Sequence, residues 1–192
     1  MKVTWRVIWI VCFCMMVFWG CESRKSYIII ETELGEIKVE IYEQKAPITA
    51  SNFLRYVDEN RYEGATFYRT VTMGNQPNND VKIEVIQGGI RGEEKMFPPI
   101  EHETTDKTGI LHKDGVISMA RSAPGSATSE FFICIGDQPE LDFGGRRNPD
   151  GQGFAAFGKV KKGMEVVRKI QYQPVDGQRL NPKIKIYNIV RE

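Results

Sequence analysis

The sequence predicts a mainly β fold, a closed antiparallel barrel with two helical caps. Three observations lead there. Short apolar runs, alternating or continuous, recur throughout the chain beyond residue 26; glycine and proline punctuate nearly every gap; and only two stretches space their apolar residues as a helix does. The chain of 192 residues contains no internal repeat and no low-complexity tract, and the part beyond position 20 suffices for one core but not for two domains.

The hairpin comes first. Residues 27–31 are β-rich, Leu34 and Gly35 supply a turn, and Ile37, Val39 and Ile41 alternate through 36–42, which gives two strands with one buried face. Pro47 suits the first turn of a helix reaching about residue 60, with Phe53, Leu54 and Val57 as its apolar stripe. Strand-like runs come next at 66–71, 81–87, 115–120, 130–135 and 155–160. A second helix over 163–171 puts Met164, Val167 and Ile170 on one face, and 183–190 alternates again as a closing strand.

The amino terminus reads as an export signal. Lys2 and Arg6 precede thirteen consecutive apolar residues, from Val7 to Trp19, and then Gly20 and Cys21 lead into a polar run. Thirteen residues fall short of the ~20 that a helical span needs, so the uncleaved signal anchor is the weaker alternative. A small residue before cysteine resembles a bacterial lipobox, which makes Cys21 the lipidation candidate, although Phe18 and Trp19 are bulkier than usual there. The expected organisation is a signal peptide over 1–20, a linker over 21–26 and a folded domain over 27–192. That domain would be exported, in the periplasm or cell envelope, and lipid-anchored to a membrane.

Charge and residue usage exclude several functions. The chain has 26 basic and 25 acidic residues; without Lys2 and Arg6 the balance is 24 to 25, which gives no basic face for nucleic acid. Cys12 and Cys14 lie in the apolar run, so Cys134 is the single cysteine of the domain beyond Cys21, reads as buried filler and has no internal disulfide partner. His102 and His112 stand in no HExxH or CxxC pattern, so no metal is called for. Gly88, Gly89 and Gly92 lead into charged residues rather than an apolar helix, and no serine stands in a GxSxG elbow. No cofactor is implied.

Six ordered motifs remain: Phe67-Tyr68-Arg69, Gln87-Gly88-Gly89, Gly115-Val116-Ile117-Ser118-Met119-Ala120, Ser129-Glu130-Phe131-Phe132-Ile133, Leu141-Asp142 and Phe157-Gly158-Lys159-Val160. In this order they resemble the cyclophilins, over roughly residues 27–190. The resemblance implies an eight-stranded antiparallel barrel capped by two helices, peptidyl-prolyl cis/trans isomerase activity, proline-containing polypeptides as substrates and a monomeric state. It implies Arg69 as the catalytic residue, Gln87 as the amide that holds it, Phe132 as the floor of the proline pocket and Leu141 as its wall. Further substrate contacts are implied at Val85, Ala120, Arg121, Ser122, Glu130 and Phe154.

This chain also departs from the family pattern. Glu84 and Val85 stand where an apolar Phe-Met pair is usual, Arg121 where asparagine is common, and Glu130 in place of a frequent glutamine. Contacts at Arg121 are expected to run through the main chain. Glu140 takes the place of the tryptophan associated with cyclosporin binding, which implies poor binding of that ligand. Seventeen residues separate Arg69 from Gln87, more than the family's usual connection, and 72–82 reads either as a silent surface loop or as one that overhangs the cleft. Glu84 keeps a second function class open: a barrel that holds Pro-containing segments as a chaperone or assembly module without turnover. A carboxylate buried in the pocket would be costly, so Glu84 is expected to face solvent.

Overall fold

The computed structural model describes residues 25–192 except 91, 93 and 94. The expected signal peptide and the lipidation candidate Cys21 lie outside the described residues. Nine strands form one antiparallel sheet: β1 (Ser26–Thr32), β2 (Gly35–Ile41), β3 (Thr66–Val71), β4 (Val85–Gly89), β5 (Val116–Met119), β6 (Phe131–Cys134), β7 (Ala155–Lys162), β8 (Val175–Asp176) and β9 (Arg179–Arg191). They lie in the order β1-β2-β7-β5-β6-β4-β3-β9, and β1 pairs with β9 to close the ring. Eight strands therefore make the barrel, with the two-residue β8 paired outside it on β9. Closure leaves no open edge among those eight.

Alternation sets the interior. In the β1–β2 hairpin Ile28 faces Val39 and Ile30 faces Ile37, and all four are fully buried. The barrel is filled by an aromatic cluster in which Phe53 lies 5.2 Å from Tyr62, 5.5 Å from Phe131 and 5.0 Å from Phe157. Phe53 comes from α1 (Pro47–Asp58), which caps one end. Ala46 offers no side-chain cap; instead the carboxylate of Glu103 accepts from the Ile48 and Thr49 amides at 3.2 and 2.7 Å. The second main helix buries Val166, Val167 and Ile170 against the barrel and spans Met164–Gln171.

Three differences from the sequence expectation have local causes. A one-turn helix, α2 (Thr105–Thr108), adds a third helix and stops at Gly109 in the left-handed region, so the long helix above is α3. The expected strand over 81–87 begins only at Val85, because the buried Gln76 amide occupies the main chain ahead of it, donating to Ile83 O at 2.8 Å and accepting from Ile83 N at 3.3 Å. The closing strand starts at Arg179, because the turn at Gly177 and Gln178 pairs Asp176 with Arg179. Among the described residues no helix is long and apolar enough to cross a membrane.

Candidate active site

The period of two in β6 divides its side chains between two hydrophobic clusters. Phe131 and Ile133 enter the barrel core, while Phe132 and Cys134 point outward and join Val71, Ile83, Val85 and Leu141 in a second cluster on the outer wall. In β4 Ile86 goes inward, and Val85 and Gln87 line the outer cavity. A β-bulge between Phe67 and Arg69 leaves Phe67 paired with Gly88 and turns Arg69 to face Gln87. Glycine is required beside it: a Cβ on Gly88 would meet the Phe67 ring at 2.8 Å, and Gly89, at φ +133°, would meet Glu130 Cα at 2.8 Å. The Gln87-Gly88-Gly89 segment thus serves tight strand packing.

These strands enclose an outer cavity of about 220 Å³. This is below the ~300 Å³ at which small-molecule sites begin, so it suits one side chain. Its floor is Phe132, 4% exposed, with the Phe154 ring edge-on at 5.2 Å and 86°. Leu141, fully buried, forms a wall and accepts the Phe154 amide on its carbonyl at 3.0 Å. Val85 and Ala120 complete the apolar lining together with Ile83. Ile83 belongs to the long 72–84 connection and was not legible as a site residue, because strand period alone does not place a residue just outside a strand.

Arg69 is held at the mouth by two amides. Nη1 donates to Gln87 Oε1 at 2.8 Å, while Nε and Nη2 donate to Gln178 Oε1 at 3.0 and 2.6 Å. Three of its five N–H groups are thereby engaged, which leaves one on each terminal nitrogen for a ligand. Burial pushes the guanidinium pKa down, and Tyr68 and Glu130 push it back up, so it remains charged. Gln87 is fixed in turn: its Nε2 donates to Tyr68 Oη at 2.6 Å and to Glu130 Oε2 at 3.2 Å. An ionised carboxylate can only accept, so Glu130 sets the Gln87 amide with its oxygen towards Arg69. Glu130 therefore touches the site through Gln87; it does not line the cavity.

The Arg121 side chain is tied into the neighbouring loop. It is 1% exposed, lines the cavity and forms a bidentate pair with Asp150 at 2.8 and 2.8 Å. It also donates to Gly153 O at 2.8 and 2.6 Å, and its Cζ lies 5.2 Å from the Phe154 ring centroid. The loop carrying Phe154 is thus fastened by Arg121. Hydrogen bonds from Arg121, first, and from the Gln152 amide hold the Asp150 carboxyl down at a pKa of about 2. Ser122, expected as a substrate contact, lies apart from this cavity. It is exposed, with its amide bonded to Ser126 Oγ at 3.1 Å, because the chain turns away into the 122–126 bend.

Glu84 points away from the pocket, as expected, but into contact with α3 rather than into open solvent. Its Oε1 accepts from Gln171 Nε2 at 3.1 Å and the residue is half-buried. Behind the floor, His112 stacks on Phe132 at 5.9 Å and 16°, with Nδ1 2.7 Å from Asp142 Oδ1 and Nε2 3.0 Å from Ser118 Oγ. The order Asp-His-Ser has the look of a hydrolase triad. His112 is 1% exposed and Ser118 fully buried, so no acyl group reaches them, and the trio braces Phe132 from below. Among the described residues, the cavity lining contains neither a nucleophile nor a group that titrates near neutrality. It can bind an apolar ring and direct N–H groups at it.

Comparison with known proteins gives a consistent result. The family profile described as cyclophilin type peptidyl-prolyl cis-trans isomerase/CLD matches residues 27–191. The chain is 40% identical over 150 residues to a peptidyl-prolyl cis-trans isomerase of Acinetobacter baylyi, covering 76% of this chain and 71% of that one. It is 36% identical over 153 residues to peptidyl-prolyl cis-trans isomerase A of Dickeya dadantii, covering 77% and 72%. In fold it matches the crystal structure of a Cryptosporidium parvum cyclophilin type peptidyl-prolyl cis-trans isomerase, with a TM-score of 0.69 at 22% identity over 88% of this chain and 98% of that one. A second structure of that protein was determined in the presence of the dipeptide Ala-Pro.

Proposed function

This chain belongs to the cyclophilin-type peptidyl-prolyl cis-trans isomerase family, and from that premise we propose that it isomerises X-Pro bonds of proteins folding in the cell envelope, as a monomer anchored through lipid on Cys21. The observation that carries the assignment of the site is Arg69, held by Gln87 and Gln178 at the mouth of an apolar pocket floored by Phe132. Glu84, the residue that kept a non-catalytic holding module open, lies against α3 instead of the pocket.

Rotation about an X-Pro bond meets a barrier of ~18–20 kcal/mol, because the planar amide is held by resonance. No covalent bond is made or broken. The twisted amide loses its resonance, becomes less polar and exposes a lone pair on the proline nitrogen. The apolar side chains of Phe132, Leu141, Val85 and Phe154 seat the ring and favour the less dipolar state. Arg69 directs its two remaining N–H groups at atoms whose acceptor strength grows on twisting, so its bonds are stronger in the transition state than in the ground state. Gln87 and Gln178 hold that donor in place, so that little reorganisation accompanies the rotation.

The envelope assignment is tested by cell fractionation of wild type and Cys21→Ser. The wild type is expected in the membrane fraction and extractable with detergent, and the variant as an uncleaved precursor or a released protein. A variant processed and anchored as before would remove Cys21 from the anchor while leaving the isomerase untouched.

A further inference from the structure

The outer cavity carries an unneutralised charge that isomerisation itself does not need. Arg147, from the 143–153 loop, lines the cavity beside Phe132 and Arg69. Its Nη1 donates to Gln76 Oε1 at 3.0 Å and to Val81 O at 2.6 Å, both neutral acceptors. Nε and Nη2 make no hydrogen bond, and no carboxylate lies within ion-pair distance, among the described residues. The two neighbouring arginines differ: Arg121 is paired with Asp150 and Arg146 with Glu140. Burial and the charge of Arg69 both push the Arg147 pKa down, which is the signature of two guanidinium groups within reach of each other. A loop staple would need only a neutral donor at this place.

A second, independent feature has the same sign. An open cleft of about 840 Å³ shares Arg69 with the outer cavity and carries Arg179 and Lys183 on its wall, with Asp176 as the one carboxylate lining it among the described residues. Among the described residues, Glu130 is a further acid near Arg69, bound to the Gln87 amide. The sequence after residue 20 has 24 basic against 25 acidic residues, so this excess of positive charge is local to the cleft.

We propose that this cleft selects prolines flanked by an acidic residue, with Arg147 as the specificity-determining side chain. The inference rests on the cleft being the isomerase site. A substrate carboxylate next to the proline would accept from Arg147 Nε and Nη2 and relieve its repulsion with Arg69. An anion there steers encounter as well as binding, so the preference is expected in kcat/KM and is expected to weaken with salt.

The test uses the full chain in detergent and exchange NMR of short peptides bearing Glu, Gln or Lys immediately before or after proline. Glu peptides at one or both positions are expected to be turned over roughly three- to fivefold more efficiently than their Gln isosteres at low ionic strength, the size of one unit charge a few ångströms away in a wet cleft. Lys peptides should be poorer than Gln, and 0.5 M salt, where the Debye length is only a few ångströms, should remove most of the difference. Arg147→Gln should bring the Glu-to-Gln ratio towards one. Arg147→Lys should restore it, although lysine cannot reproduce the staple. A wild-type ratio of one or less at both positions, with the Gln peptides turned over, overturns the selectivity and leaves the isomerase standing; a ratio unchanged in Arg147→Gln removes Arg147. Absence of turnover for every peptide removes the isomerase site and this inference with it.

Discussion

The side-chain oxygen of Gln178 accepts both Nε and Nη2 of Arg69, at 3.0 and 2.6 Å, across 109 positions of the chain. Gln178 stands at the tip of the β8–β9 turn, where its carbonyl accepts the Thr70 amide at 3.0 Å and its Nε2 donates to Asn75 O at 3.1 Å. Asn75 Nδ2 in turn reaches Gly177 O at 3.2 Å. The long connection after Arg69 therefore braces the arginine from behind, in addition to supplying Ile83 to the pocket.

Gln178→Ala frees two of the three fixed N–H groups of Arg69. We expect kcat to fall about tenfold, the equivalent of ~1.4 kcal/mol of lost pre-organisation, with KM and melting temperature little changed. Steady-state kinetics on a Pro-peptide separate the two constants. An unchanged kcat would show that Gln87 alone orients Arg69.

Arg69→Ala removes the donor itself. A loss of ~10²–10³ in kcat/KM is expected, the scale of one pre-organised transition-state donor, while the domain stays folded because the side chain lies outside the barrel core. Circular dichroism and the isomerisation assay together check it. Near-wild-type rates would exclude Arg69 from the mechanism.

The Arg121–Asp150 pair should outlast mild acid. The Asp150 pKa is depressed from 3.8 to about 2, so the pair's contribution is fully present above 3.8 and is lost as pH falls through about 2. NMR titration of the Asp150 carboxyl carbon should give a midpoint near 2, with Phe154 ring shifts steady down to about pH 3. A midpoint at 3.8 would mean that Arg121 does not hold the loop. In Asp150→Asn the Phe154 ring should loosen, with KM for Pro-peptides raised roughly threefold as one pocket wall becomes mobile.

Much of the fold is legible in the sequence for a physical reason. Alternation such as Ile37, Val39 and Ile41 is forced by a sheet with one wet face, and the apolar stripe of Phe53, Leu54 and Val57 by a helix packed on one side, so local spacing reports both. The ordered motifs also carried Arg69, Gln87, Phe132 and Leu141, and the family resemblance added Phe154, all of which line one cavity. What the tertiary structure decided are relations between distant segments. Whether Phe132 was core or pocket depended on which face of β6 was covered by something else. Gln178 holds Arg69, Glu103 caps α1 and Glu84 rests on Gln171 because barrel closure brings those segments together. A side chain's partner across tens of residues leaves no periodicity in the chain. The sequence by itself therefore determined most of the strands, the barrel class and the choice of Arg69 as the candidate donor, and only the closed barrel decided what fixes that arginine and what charge surrounds it.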